Sequence, residues 1–150
     1  MDWESASPFA ELTCFRTDGS ERVFDARVRG VPDPREPAWF YYVRPSGRKY
    51  RGRKAYFASF KEIGFRQLQI EALKNELPKR YRGYCITCAL VPRVAAYHQA
   101  QVRSSRSLAN GELRTDKATK VWNRMVSEGT ASYDEIEDRF CHPPLAKRDA

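Results

Sequence analysis

Leu12 to Thr17 and Arg22 to Arg29 read as two extended stretches, and in the second Val23, Ala26 and Val28 alternate imperfectly with polar residues. Asp18-Gly19 lies between the two runs, and this pair suits the turn of a two-stranded hairpin. The segment VPDPREP follows with three prolines in seven residues, which predicts an irregular loop. Ala38 to Arg44, AWFYYVR, is dense in aromatic and β-branched side chains and predicts a third strand. Arg44-Pro45-Ser46-Gly47 closes it with proline second and glycine fourth, the composition of a type I turn, and predicts reversal into a short strand Arg48 to Arg51.

After this the period changes. Tyr56, Phe57, Phe60 and Ile63 recur at helical spacing and predict a helix over 54–63, with Gly64 placed to end it. Ile70, Leu73 and Leu77 predict a second helix, stopped by Pro78. Pro92 fits the first turn of a further helix whose apolar side holds Val94, Ala95, His98 and Val102. Beyond the polar stretch SSRSLANGE, Val121, Trp122, Met125 and Val126 mark an amphipathic helix ended by Gly129. Ser132 with Glu135 forms a capping box for a last short helix bearing Ile136 and Phe140.

These elements predict an α+β fold: a small antiparallel sheet of three or four strands with helix 54–63 packed on it, sharing a core with Phe40, Tyr42 and Phe57. The organisation expected is a loose leader over 1–8, an α+β domain over 9–78, a helical extension over 79–142 and a loose tail over 143–150.

Charge sharpens this picture. The chain carries net +8, and nine Lys or Arg against Asp33 and Glu36 leave +7 of it between Arg27 and Lys54. Positive charge concentrated in this way attracts polyanions through counterion release, so nucleic acid leads the partner classes, ahead of an acidic membrane surface or an acidic protein. No window approaches 18 consecutive apolar residues and no signal pattern opens the chain, which predicts an intracellular protein without membrane contact. Four cysteines, unevenly spaced, do not suit a secreted disulfide scaffold.

Within residues 38–64 basic and aromatic side chains interleave, and alternation on a strand keeps Arg44, Arg48, Lys49, Arg51 and Arg53 from all being buried. A two-stranded ribbon fits the DNA major groove, where an arginine can donate two hydrogen bonds to guanine. The run Tyr41-Tyr42-Val43-Arg44-Pro45-Ser46-Gly47-Arg48-Lys49-Tyr50-Arg51-Gly52-Arg53 resembles the core of the methyl-CpG-binding domain, and the resemblance extends over about residues 27–75. It implies double-stranded DNA as partner, with Arg29 and Arg51 reading guanines, Tyr41 facing the methyl groups, and Arg27, Arg44, Arg48, Lys49, Arg53 and Lys54 on phosphates. It also implies a nuclear protein of chromatin or transcription regulation. Two departures bear on methyl selectivity: Trp39 stands where the family has an aspartate that braces the first arginine, and Gly52 stands where a serine follows the second. Sequence-tolerant binding of DNA or RNA is the alternative within this class. A structural subunit that docks a protein partner through residues 84–140 is the alternative outside it.

Cys85-Ile-Thr-Cys88 has zinc-knuckle spacing, and Cys141-His142 could complete four ligands. The flanking Ile86, Ala89 and Leu90 favour a pair of small core residues instead, so no cofactor is expected. His98, on the apolar side of its helix, reads as a hydrogen-bonded core histidine. Asp134, Glu135, Glu137 and Asp138 read as the solvated face of the last helix. With two histidines, no glycine-rich phosphate loop and no nucleophile beside a base, the chain is not expected to be an enzyme.

Overall fold

The computed structural model describes residues 2–31, 35, 37–47, 50–109 and 112–145. A short helix α1 (Asp2–Ser5) leads into strands β1 (Ser7–Phe15), β2 (Glu21–Val31), β3 (Ala38–Pro45), β4 (Tyr56–Gly64) and β5 (Gln67–Asn75). A 3-10 turn (Lys79–Tyr81), helix α2 (Ile86–His98) and strand β6 (Gln101–Arg103) follow. A two-stranded hairpin β7 (Leu108–Ala109) and β8 (Glu112–Leu113) precedes helix α3 (Asp116–Ser127), β9 (Ser132–Asp134) and β10 (Arg139–His142).

Eight strands form one curled sheet in the order β1-β2-β3-β4-β5-β6-β10-β9. The first five are an antiparallel meander, whereas β5 and β6 pair parallel with Leu68 opposite Val102. Parallel neighbours need a crossover connection, and α2 supplies it. Helix α2 lies on the inner face: its His98 meets Tyr41 of β3, and its Thr87 meets Tyr56 of β4, with Tyr56 Oη and Thr87 Oγ1 2.7 Å apart. Helix α3 closes one end, where Trp122 stacks on Phe140 of β10 with centroids 5.9 Å apart. One apolar cluster runs from Leu12 and Phe24 on the first strands through Leu90 and Val94 of α2 to Trp122 and Phe140.

This architecture overturns the small-sheet, packed-helix expectation at several elements. The helix expected over 54–63 is replaced by β4: Tyr56, Ala58 and Phe60 point inward, but Phe57 is apolar too and packs outward against Phe40 and Tyr42, so period two is hidden. In β5 the register shifts between Ser59↔Ala72 and Phe60↔Ile70, leaving Glu71 as an extra residue. That bulge places Leu68, Ile70 and Leu73 on one face, so a bent strand acquires the spacing of a helix.

The expected helical extension contributes three further strands to the same sheet. Helix α2 begins six residues before Pro92, which lies inside it, and Val102 belongs to β6. Residues 132–142 are a hairpin, because the Asp134 carboxylate accepts from the N–H groups of Ile136 and Glu137 and turns the chain that the Ser132/Glu135 pair was expected to coil. The type I turn over Arg44–Gly47 does not close β3, and the expected strand Arg48–Arg51 falls in part on Arg48 and Lys49, which lie outside the described residues. β3 continues to Pro45 against Phe24, the last β3–β4 pair is Val43↔Tyr56, and the described residues 50–55 between them lie outside any strand.

The leader is held in place, since α1 covers the sheet and Ser7 and Pro8 already pair with β2. The β1–β2 hairpin and α3 stand as read. Gly19 takes φ 87 in its turn while Asp18 accepts from Ser20, and Thr115 caps α3 at the N–H of Ala118. Among the described residues no helix is long and apolar enough to cross a membrane.

Candidate nucleic-acid interface

Alternation along β2, β3 and β4 sends Phe24, Ala26, Tyr41, Val43, Tyr56, Ala58 and Phe60 into the core. The intervening residues must therefore emerge on the opposite, outer face. There Arg27 stands beside Tyr42 and Tyr42 beside Phe57, while one step along the strands Arg29 stands beside Phe40 and Phe40 beside Ser59. Arg44 of β3 and Lys61 of β4 extend the set at either end.

The rings make a shelf. Phe40 and Phe57 stack at 5.6 Å with planes 28° apart, and Tyr42, itself buried, backs Phe57 at 5.4 Å. Arg29 lies 5.2 Å over Phe40. Trp3 of α1 sits between two further arginines, 4.5 Å from the Arg27 guanidinium and 4.8 Å from that of Arg44, and its carbonyl accepts from Arg27 Nη1 at 3.0 Å. Burial pulls the Arg44 guanidinium below its ordinary pKa, and the positive Arg27 adds to this against Tyr50 and Glu4. Arg44 Nη2 also donates to the Arg53 carbonyl at 2.7 Å, which fastens the loop before β4 to the sheet.

In that loop Arg51, Gly52, Arg53 and Lys54 are exposed, and the Tyr50 hydroxyl donates to the Lys54 carbonyl at 2.6 Å. The tyrosine passes so close that a Cβ on Gly52 would lie 2.6 Å from its hydroxyl oxygen. Only glycine fits the backbone there without moving Tyr50.

The sequence-predicted reading set is not assembled. Tyr41 is wholly buried, and its hydroxyl lies 2.6 Å from His98 Nε2. Desolvation raises its phenol pKa, so it is a core residue rather than a ring presented to a groove. Arg29 emerges in mid-strand on the outer face rather than in a loop, and Arg51 is exposed in the loop after β3. Arg27 and Arg44 hold Trp3, Arg53 and Lys54 are exposed, and Arg48, Lys49, Asp33 and Glu36 lie outside the described residues.

The zinc set does not form either. Cys85 and Cys88 are joined in a disulfide, Cys141 is buried, His142 Nδ1 contacts the Thr130 carbonyl, and among the described residues no group of three or more His, Cys, Asp or Glu could hold a metal. The acidic cluster has structural work. Asp138 receives Ser107, Tyr133 and Arg114, and the Ser107 hydroxyl above all holds its carboxyl well below the usual range, while Glu137 pairs with Arg106 at 3.0 Å.

Two features escaped the sequence reading. Trp3 belongs to the outer face although it lay in the expected leader. A second basic surface also exists, a cleft of about 670 Å³ between β5, the start of α2 and α3, with Lys74, Arg82, Lys117, Lys120 and Arg124 around Tyr56 and Tyr84. The spacing of Lys117, Lys120 and Arg124 on α3 was the signal for it. Comparison with family models, with curated proteins and with solved structures finds no match for this chain.

Proposed function

We propose that the protein binds nucleic acid across the outer face of β2, β3 and β4, and takes single strands in preference to duplex. One observation carries this reading: Arg27, Arg29 and Arg44 leave the sheet on the same side as the half-buried rings of Phe40 and Phe57. Unpaired bases stack on such rings whatever their identity, while guanidinium groups follow the phosphates. In a duplex the faces of the bases are already stacked on one another, so a flat aromatic shelf has less to offer it.

Duplex binding keeps one support, the exposed Arg51, Arg53 and Lys54 of the loop, which could position on phosphates without touching the shelf. Methyl reading is not carried forward, because it needs the ring of Tyr41, which is buried.

Fluorescence anisotropy with labelled single-stranded RNA, single-stranded DNA and matched duplexes, methylated and unmodified, separates these readings over a salt series. Single strands should bind more tightly than either duplex, with affinity falling steeply as salt rises, and Arg29→Ala should weaken binding to all sequences alike and flatten the salt slope by about one unit. Tighter binding of duplex, or affinity indifferent to salt, would overturn the proposal.

A further inference from the structure

Cys85 and Cys88 open helix α2 and are joined to each other, with their Cα atoms 5.3 Å apart. The stabilisation a disulfide supplies grows with the length of loop it closes, and a separation of three residues is close to the minimum. This bridge ties together no distant parts of the sheet. It also sits on an unusual backbone: Cys85, the N-cap residue, takes φ 47, a left-handed conformation that strains any residue but glycine.

The surroundings suit sulfur chemistry. Both cysteines are half-buried and line one cleft, and Cys85 also lines a second, so a second thiol can approach. Helix α2 has 13 residues and no acidic residue in its first turn, leaving the positive end of its dipole uncompensated beside the bridge. Arg16 lines the same cleft and is held there by carbonyls and a ring: Nη2 donates to Arg80 at 2.8 Å, Nε to Arg82 at 3.3 Å, and the guanidinium lies 4.2 Å over Tyr84. A cation and a helix N-terminus together favour thiolate over thiol. Cys14, the third cysteine lining this cleft, is different, since burial pushes its thiol up to about 12 and keeps it protonated.

We propose that Cys85–Cys88 is a redox-active disulfide that exchanges electrons with a dithiol, protein or small molecule, through a mixed disulfide on Cys85. A thiolate of the dithiol attacks the Cys85 sulfur; the Cys85–Cys88 bond breaks and Cys88 leaves as a thiolate that takes a proton. The second thiolate of the partner then attacks its own sulfur in the mixed disulfide and releases Cys85. The dithiol loses two electrons and two protons in becoming a disulfide, and the cysteine pair gains both. The reverse sequence oxidises the pair, with Cys85, at the N-cap of α2 and lining both clefts, as nucleophile.

The test equilibrates the intact protein with mixtures of reduced and oxidised dithiothreitol, alkylates it and weighs its peptides, while near-ultraviolet circular dichroism follows the fold. The bridge should open and close reversibly with an unchanged spectrum, and Cys85 of the reduced protein should react with iodoacetamide at neutral pH about tenfold or more faster than Cys88. Cys88→Ser should trap a mixed disulfide with a disulfide-bearing peptide, Cys85→Ser should not, and Cys14→Ser should leave both results as they are. Reduction only with loss of the fold, equal reactivity of the two thiols in the parent protein, or equal trapping by the two serine variants would overturn the proposal.

Discussion

The two faces of β2, β3 and β4 are built from alternate residues of the same strands, yet they obey different rules. On the inner face Tyr41, Val43, Ala58 and Phe60 are fully buried against α2 and their neighbours, and each side chain is fixed by the space around it. On the outer face Arg29, Phe40, Arg44 and Phe57 are only partly covered, and α1 lays a single tryptophan across one corner. A sheet with one dry face and one aromatic, cationic face can assign folding to the first and recognition to the second. The separation is testable because neighbouring residues of one strand serve opposite sides.

The largest effect is expected inside. Phe60→Ala removes a ring packed edge-on against Tyr41 at 5.4 Å and should lower the unfolding free energy by about 3–5 kcal/mol, read from urea denaturation. Whatever fraction of that variant remains folded should bind oligonucleotides normally. Three residues away and on the opposite face, Phe57→Ala should weaken single-strand binding by about 1–3 kcal/mol, roughly fivefold to 150-fold, while stability falls by less than for Phe60→Ala. Equal loss of binding in both variants would erase the distinction between the faces.

The smallest effect concerns pH. Burial lowers the pKa of His98 beneath its ordinary value, while its Nε2 faces the Tyr41 hydroxyl. The unfolded chain therefore takes up a proton more readily than the folded one. The contribution of His98 to stability is complete above its unfolded pKa of about 6.5 and is lost as pH falls below it, toward the folded value. Urea midpoints should drop over that window, and His98→Gln should flatten this part of the profile without changing nucleic-acid affinity.

The elements that could be read from the chain are those in which a local rule and the tertiary environment agree. Asp18-Gly19 turns the first hairpin, AWFYYVR is a strand, and Gly129 at φ 79 follows α3 as a terminator should. Where the two diverge, reading failed. Phe57 conceals the alternation of β4, Glu71 gives β5 a helical spacing, and Asp134 diverts a capping box into a turn. The candidate interface was legible as charge and aromatic content between Arg27 and Lys54, but not as geometry. Which residues share a face depends on strand parity, and parity could not be counted through β4 while it read as a helix. Tyr41 illustrates this, being one residue away from the outward-facing Phe40 and Tyr42.

Strand β1 lies at one border of the sheet, and a long border strand is an invitation for another chain to add itself by backbone pairing. Pro8 has no N–H to offer a neighbour, and the register slip between Pro8 and Ala10 breaks the regularity of the strand. Arg93 from α2 and Arg124 from α3 donate to the carbonyls of Glu11 and Phe15, at 3.4 and 2.9 Å. The helices thus do more than fill the interior: they occupy acceptors an intruding strand would want, and so help keep a sheet-rich, arginine-rich chain from polymerising edge to edge.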